Sequence, residues 1–167
     1  MIRLVSALSL AAILAACGDG PADPANEPTQ SEVPSIGADM AMPTDKPFCV
    51  FVREDHTGPL MGEGVGYVLV TELGEGSYHG YATLDGAVTK MTEIEAGFGA
   101  GIETRRYETP DAGRELEVIL LEQNPDTNDP PQYTGSIRQI FPVEGEAVKF
   151  RGECQMADGP PNTELNE

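Results

Sequence analysis

The chain has 167 residues, with 10 Lys and Arg against 28 Asp and Glu, a formal charge of −18. That length holds one domain with some to spare, and that charge repels a phosphate backbone, which argues against nucleic acid as a partner. Trp is absent, which leaves little aromatic surface for a carbohydrate platform, and three cysteines leave one over after any pairing.

Residues 1–16 read as an export signal. Met1-Ile2-Arg3 is a short basic start, and the apolar run from Leu4 to Ala16 is broken only by Ser6 and Ser9. Such a run falls short of the roughly 20 residues a bilayer-spanning helix needs and fits a signal-peptide core. It ends in Leu14-Ala15-Ala16-Cys17-Gly18. An aliphatic residue, two small residues and a Cys in this setting resemble the lipobox of bacterial lipoprotein precursors. The resemblance implies that the Cys17 thiol takes a diacylglycerol thioether, that a peptidase cuts before Cys17, and that the new amine is acylated. Several acyl chains on one residue anchor a protein stably, where one chain is marginal. The membrane is then a partner through lipid, and the chain faces the periplasm. Gly18 and Asp19 after the Cys favour the outer over the inner membrane, by analogy with enteric sorting.

Residues 17–47 read as a lipidated, disordered tether. Six of the 14 prolines fall here, no aromatic residue does, and the net charge is −5. With few large apolar side chains the segment cannot offset its ordering entropy, and a coil of this length spans roughly 30 Å. Met40 and Met42 are expected to be solvated. At the other end, residues 157–167 read as a frayed acidic tail.

Residues 48–156 hold all five Tyr, all five Phe and 15 of the 19 Gly, at a net charge of −11. Short β-branched or aromatic segments separated by Gly, Pro and Asp turns predict an all-β fold. Eight strands are expected, at 48–54, 65–73, 77–84, 87–96, 102–109, 115–123, 133–141 and 147–156. Asp85-Gly86 is a strong hairpin signal, and Pro110-Asp111-Ala112-Gly113 turns the chain. The segment 115–123 is rich in Glu and Leu, but Val118, Ile119 and the flanking turns assign it as a strand. Its Leu116, Val118 and Leu120 share one face. With Ile119 and Leu121 opposite, this strand, like residues 65–70, is apolar on both sides, so a loop or a partner is expected to cover one side of each. Short connections make sequence neighbours pair antiparallel, giving a small meander that is a closed or nearly closed barrel.

With Cys17 assigned to lipid, Cys49 and Cys154 form an even pair in an oxidising compartment. They lie 105 positions apart in the first and last strands, where a disulfide fastens the ends of the meander. Redox pairs are usually two residues apart, which disfavours that role.

The search for chemistry is mostly negative. No nucleophile elbow and no phosphate loop is present, nothing points to a cofactor, and two histidines, His56 and His79, are too few for a histidine-rich metal site. Asp126-Thr127-Asn128-Asp129 offers oxygen ligands but lacks the spacing of a Ca²⁺ loop, and reads as a polar turn. Arg105 and Arg106 point to opposite faces of a strand, with Glu103, Glu108 or a cross-strand acid as ion-pair partners.

The expected function is a non-catalytic binding or interaction domain, lipid-anchored in the cell envelope, with a protein, an envelope component or a small apolar ligand as partner. The layout of lipobox, small eight-stranded barrel and disulfide is similar to that of the membrane-bound inhibitors of c-type lysozyme, and acidity suits a basic target. That family carries a Ser/Gly-rich loop before a Tyr. Here Gly97-Phe98-Gly99-Ala100-Gly101 stands well before Tyr107 and lacks Ser. The other alternative is a small envelope hydrolase, using Glu93 and Glu95 as carboxylates sharing a strand face, or Ser77 with His79.

Overall fold

The computed structural model describes residues 35–99, 101–125 and 129–155. The export signal at 1–16, the lipobox with Cys17, residues 18–34, Asp126 to Asn128 and the tail at 157–167 lie outside the described residues.

The regular elements of the described residues are nine strands: β1 (Ile36–Gly37), β2 (Cys49–Arg53), β3 (Leu69–Leu73), β4 (Tyr78–Leu84), β5 (Ala87–Gly99), β6 (Ile102–Glu108), β7 (Glu115–Glu122), β8 (Gln132–Phe141) and β9 (Val148–Cys154). Every neighbour from β2 to β9 pairs antiparallel with the next, and β9 returns to pair with β2. The meander is therefore a closed eight-stranded barrel, with β1 added outside the ring on β4. Asp85 and Gly86 adopt φ of 49° and 81°, the double left-handed turn that a two-residue hairpin needs.

Period-two alternation fills the barrel. On β7, Leu116, Val118 and Leu120 are buried while the residues between them are more exposed. They meet Phe51, Leu69, Met91, Tyr107, Ile137 and Phe150 in one cluster. Eight strands enclose an interior just wide enough for side chains, so large rings require small neighbours. At Gly152 an added Cβ would lie 2.0 Å from the Val50 carbonyl oxygen, and at Gly80 it would press on the Tyr107 ring at 3.1 Å.

The closing seam joins Cys49 to Cys154, which face each other across β2 and β9 and are disulfide-bonded with a Cα–Cα distance of 4.0 Å. The Cys49 N–H donates to Thr71 Oγ1 on β3 and the Cys154 N–H to the Pro131 carbonyl. Both amides point away from the seam, so the two cysteines form a non-hydrogen-bonded pair, whose side chains lie closest.

The fold begins earlier than the composition implies. Ile36 and Gly37 pair with Leu84 and Thr83, and Met40 exchanges two backbone hydrogen bonds with Tyr67, of 3.1 and 2.9 Å. Met40 is 2% exposed, which corrects its expected solvation; Met42 is exposed. The tether boundary expected at residue 47 moves accordingly. The cause is β2, whose outward Val50 and Val52 are as buried as its inward residues. Met40, Tyr67 and Val70 complete this outer cluster, with Leu60 and Val65 packed against it. The cover over residues 65–70 is thus the chain's own. β3 begins at Leu69 instead of 65, and Tyr67 pairs with Met40 as an isolated bridge. Arg151 pins the covering loop by donating to the His56 carbonyl at 2.6 Å and the Gly58 carbonyl at 3.2 Å.

Two predictions follow from closure and from the added strand. Replacing both Cys49 and Cys154 by Ala should cost about 3–5 kcal/mol, read as a lower urea midpoint; an unchanged midpoint would show that the seam holds without the bond. Asp85 ties β1 to the hairpin: its carboxylate accepts from Arg114 at 2.6 Å and from the Ser35 N–H at 3.2 Å. These contacts, Arg114 first, hold its pKa below the ordinary 3.8. The folded state favours the ionised form, so this stabilisation is complete above about pH 4 and fades as pH falls through the folded pKa. Between about pH 6 and about pH 2, Asp85→Asn should therefore lose less Tm than the parent protein.

Candidate site at the barrel mouth

One end of the barrel carries the β3–β4, β5–β6 and β7–β8 connections and the disulfide. Inside this mouth lies a partly open cavity of about 220 Å³. Its two sides differ. Phe48, Phe51, Leu69, Val118 and Leu120 give an apolar wall, with the disulfide beside them. Facing inward from β4 and β6, Tyr78, Glu103, Arg105 and Tyr107 give a polar wall.

The polar wall follows from alternation on β6, which turns Glu103, Arg105 and Tyr107 to one face and Arg106 to the other. Arg105 Nη1 donates to Glu93 at 2.8 Å, its Nε donates to Glu103, and the guanidinium lies 4.6 Å from the Tyr78 ring centroid. The three charged side chains are each 13–14% exposed. Burial works against the charge on Arg105, but Tyr107, Glu103 and Glu93 outweigh it and hold the guanidinium above the ordinary arginine range. Tyr107 is fully buried. Burial pushes its hydroxyl pKa up against the opposing pull of Arg105, so it stays neutral, and that hydroxyl has no hydrogen-bond partner.

A bulge on β5 sets this arrangement. Register shifts between Glu93 and Glu95, so that Glu93 lies opposite Tyr107 and Glu95 opposite Arg106. Glu93 turns inward to Arg105. Glu95 turns outward to Arg106 at 3.0 Å, and Arg106 also bonds Glu115. The expectation that Glu93 and Glu95 share a face is thereby corrected: the extra residue, Ile94, separates them. The expected split of Arg105 and Arg106 onto opposite faces holds. Ser77 lies in the β3–β4 turn, where its carbonyl accepts from Gly74 N–H. His79 is on the outer face of β4, its ring against Gly74, with Nδ1 buried and unpartnered. Neither lines the cavity.

A shallower groove of about 140 Å³ adjoins the mouth and shares Glu103, Leu120 and Tyr133 with it. Its outer side is Phe98, Ile102 and Glu122. Phe98 is 74% exposed, the most exposed large apolar side chain of the described residues.

Tyr78 and Tyr133 carry no signal of a site in the sequence, and Tyr107 enters there only through the comparison with the inhibitor loop. The available signal was Glu103-x-Arg105-x-Tyr107, two charges in phase with an aromatic residue, which on a barrel strand puts charge indoors. No family model, curated protein or solved structure matches the chain.

Removing Arg105 would leave two largely buried carboxylates without their cation, and Arg105→Leu should destabilise the barrel by about 3–5 kcal/mol. Adding Glu93→Gln and Glu103→Gln to that variant should recover much of the loss, because three uncharged side chains carry no desolvated charge. Urea denaturation of the three proteins checks this; a triple variant no more stable than Arg105→Leu contradicts it.

Proposed function

We propose that this chain is a lipid-anchored protein of the bacterial cell envelope, facing the periplasm at the outer membrane, and that its barrel is a non-catalytic domain binding a small, mainly apolar ligand in its mouth. The observation that carries the binding reading is the cavity itself: partly open, walled on one side by apolar side chains, with a few polar groups converging on the other. That combination is typical of small-ligand pockets. A dry apolar cavity of about 150 Å³ accommodates benzene, and this one, at about 220 Å³, is larger. Arg105 and its two carboxylates are committed to each other, which favours holding a ligand over transferring protons. The export signal and the lipobox arrangement at Cys17 support the anchor.

Full-length protein carrying Cys17→Ser should bind N-phenyl-1-naphthylamine saturably at one site, seen as a gain in probe fluorescence. Leu120→Trp, which fills the apolar wall, should abolish that gain while the protein stays folded. Non-saturable binding, or binding indifferent to Leu120→Trp, would remove the cavity as the site. In cells, an alkyne-tagged palmitate should label the parent protein, and the label should vanish with Cys17→Ser; persistent labelling would contradict the anchor.

A further inference from the structure

The chemical class of the ligand follows from the charges at the mouth, given that the cavity is the binding site. Arg105 on the polar wall pairs with Glu103, also on the wall, and with Glu93, which does not line the cavity, so the cluster carries one surplus negative charge. The groove beyond it adds Glu122. Tyr133, shared by cavity and groove, responds to this: burial pushes its pKa up, and Glu103 and Glu122 push it further, with Arg105 only partly opposing. The Tyr107 hydroxyl is buried, neutral and without a protein partner, and it stands on the cavity wall. A pure hydrocarbon in the cavity would leave it unsatisfied, which is costly. Arg105 is already paired with two carboxylates, so an anion on its remaining N–H groups would lie beside Glu103 and Glu93 and be repelled by them. An N–H-bearing cation needs no rearrangement, and the rings of Tyr78 and Tyr133 beside it favour positive charge as well.

We infer that the mouth binds an amphiphilic cation, an organic ammonium whose apolar body lies against Phe51, Leu69 and Leu120 and whose N–H groups face Glu103 and the Tyr107 hydroxyl. The formal charge of −18 raises the local concentration of such a ligand.

Calorimetric titration of full-length Cys17→Ser protein with octylammonium, octanol and octanoate, matched in chain length, tests the inference. Octylammonium should bind about tenfold more tightly than octanol, and octanoate most weakly. Glu103→Gln should bring the ammonium and the alcohol to near-equal affinity. Tyr107→Phe keeps the ring and should weaken the ammonium a few-fold. If Glu103→Gln perturbs the Arg105 pairs enough to unfold the barrel, Glu122→Gln, at the exposed rim, should still narrow the ammonium preference. Octanol or octanoate binding as tightly as octylammonium would overturn the cationic class while leaving the cavity as a binding site. Binding of none of the three, together with failure of the naphthylamine probe, would overturn both.

Discussion

The pairing of the first barrel strand with the last governs everything else in this molecule. Once β9 lies on β2, the ring has eight strands and its interior volume is set. No edge within the ring remains for another chain to extend, and residues on inward positions must share a fixed space. Phe51 and Phe150 sit with ring centroids 4.7 Å apart, and the space for that contact comes from glycine at 152 and 135, where a Cβ would strike backbone at 2.0 and 1.9 Å. The disulfide lies on this seam at the mouth end, where fraying would otherwise start.

The two ends of the closed ring differ: the partly enclosed cavity lies at the mouth, and at the other end a more open groove of about 400 Å³ runs past Leu84, Thr109 and Arg114. Toward the other end, Leu84, Met91 and Leu116 fill the interior, and Gln139 donates to the Val143 carbonyl at 3.0 Å. Toward the mouth, β6 delivers Glu103 and Arg105, long side chains that spend their length reaching one another and so cannot fill the centre. The bulge on β5 completes the trio. Without that one extra residue, Glu93 and Glu95 would project to the same side, and Arg105 and Arg106, on opposite sides, could not each have one. A local irregularity of backbone register therefore decides an electrostatic question.

Much of this architecture is legible in the residues. Asp85-Gly86 specifies its hairpin, the alternation of 116, 118 and 120 specifies the inner face of β7, and removing Cys17 from the count leaves Cys49 for Cys154. The parts that are not legible share a physical cause: each depends on a partner distant in sequence. Averaged over 17–47, composition is that of a coil, yet Met40 joins Tyr67 and Val70, with Leu60 and Val65 packed against them, over the outer face of β2. Val50 and Val52 announce that a cover is needed without saying which segment supplies it. The spacing of Met91, Glu93 and Glu95 is regular, so the bulge appears only when β5 is set against β6. The candidate site depends on that register, and so its members emerge from the fold and not from any motif.

The acidity can likewise be divided. Each arginine of the described residues is engaged: Arg53 with Asp55, Arg105 and Arg106 with two carboxylates each, Arg114 with Asp85, Arg138 with Glu117 and Glu144, and Arg151 with loop carbonyls. Most of these pairs are at the surface, where they contribute little to stability. Their consequence is that guanidinium charge is neutralised close to where it arises, and the field outside is set by the surplus carboxylates. That holds at the mouth too, where the one cation on the cavity wall is outnumbered by the two carboxylates that bind it. An arginine in a pocket ordinarily suggests an anionic ligand. Here Arg105 is already paired with one carboxylate on the strand it sits on and one on the strand beside it.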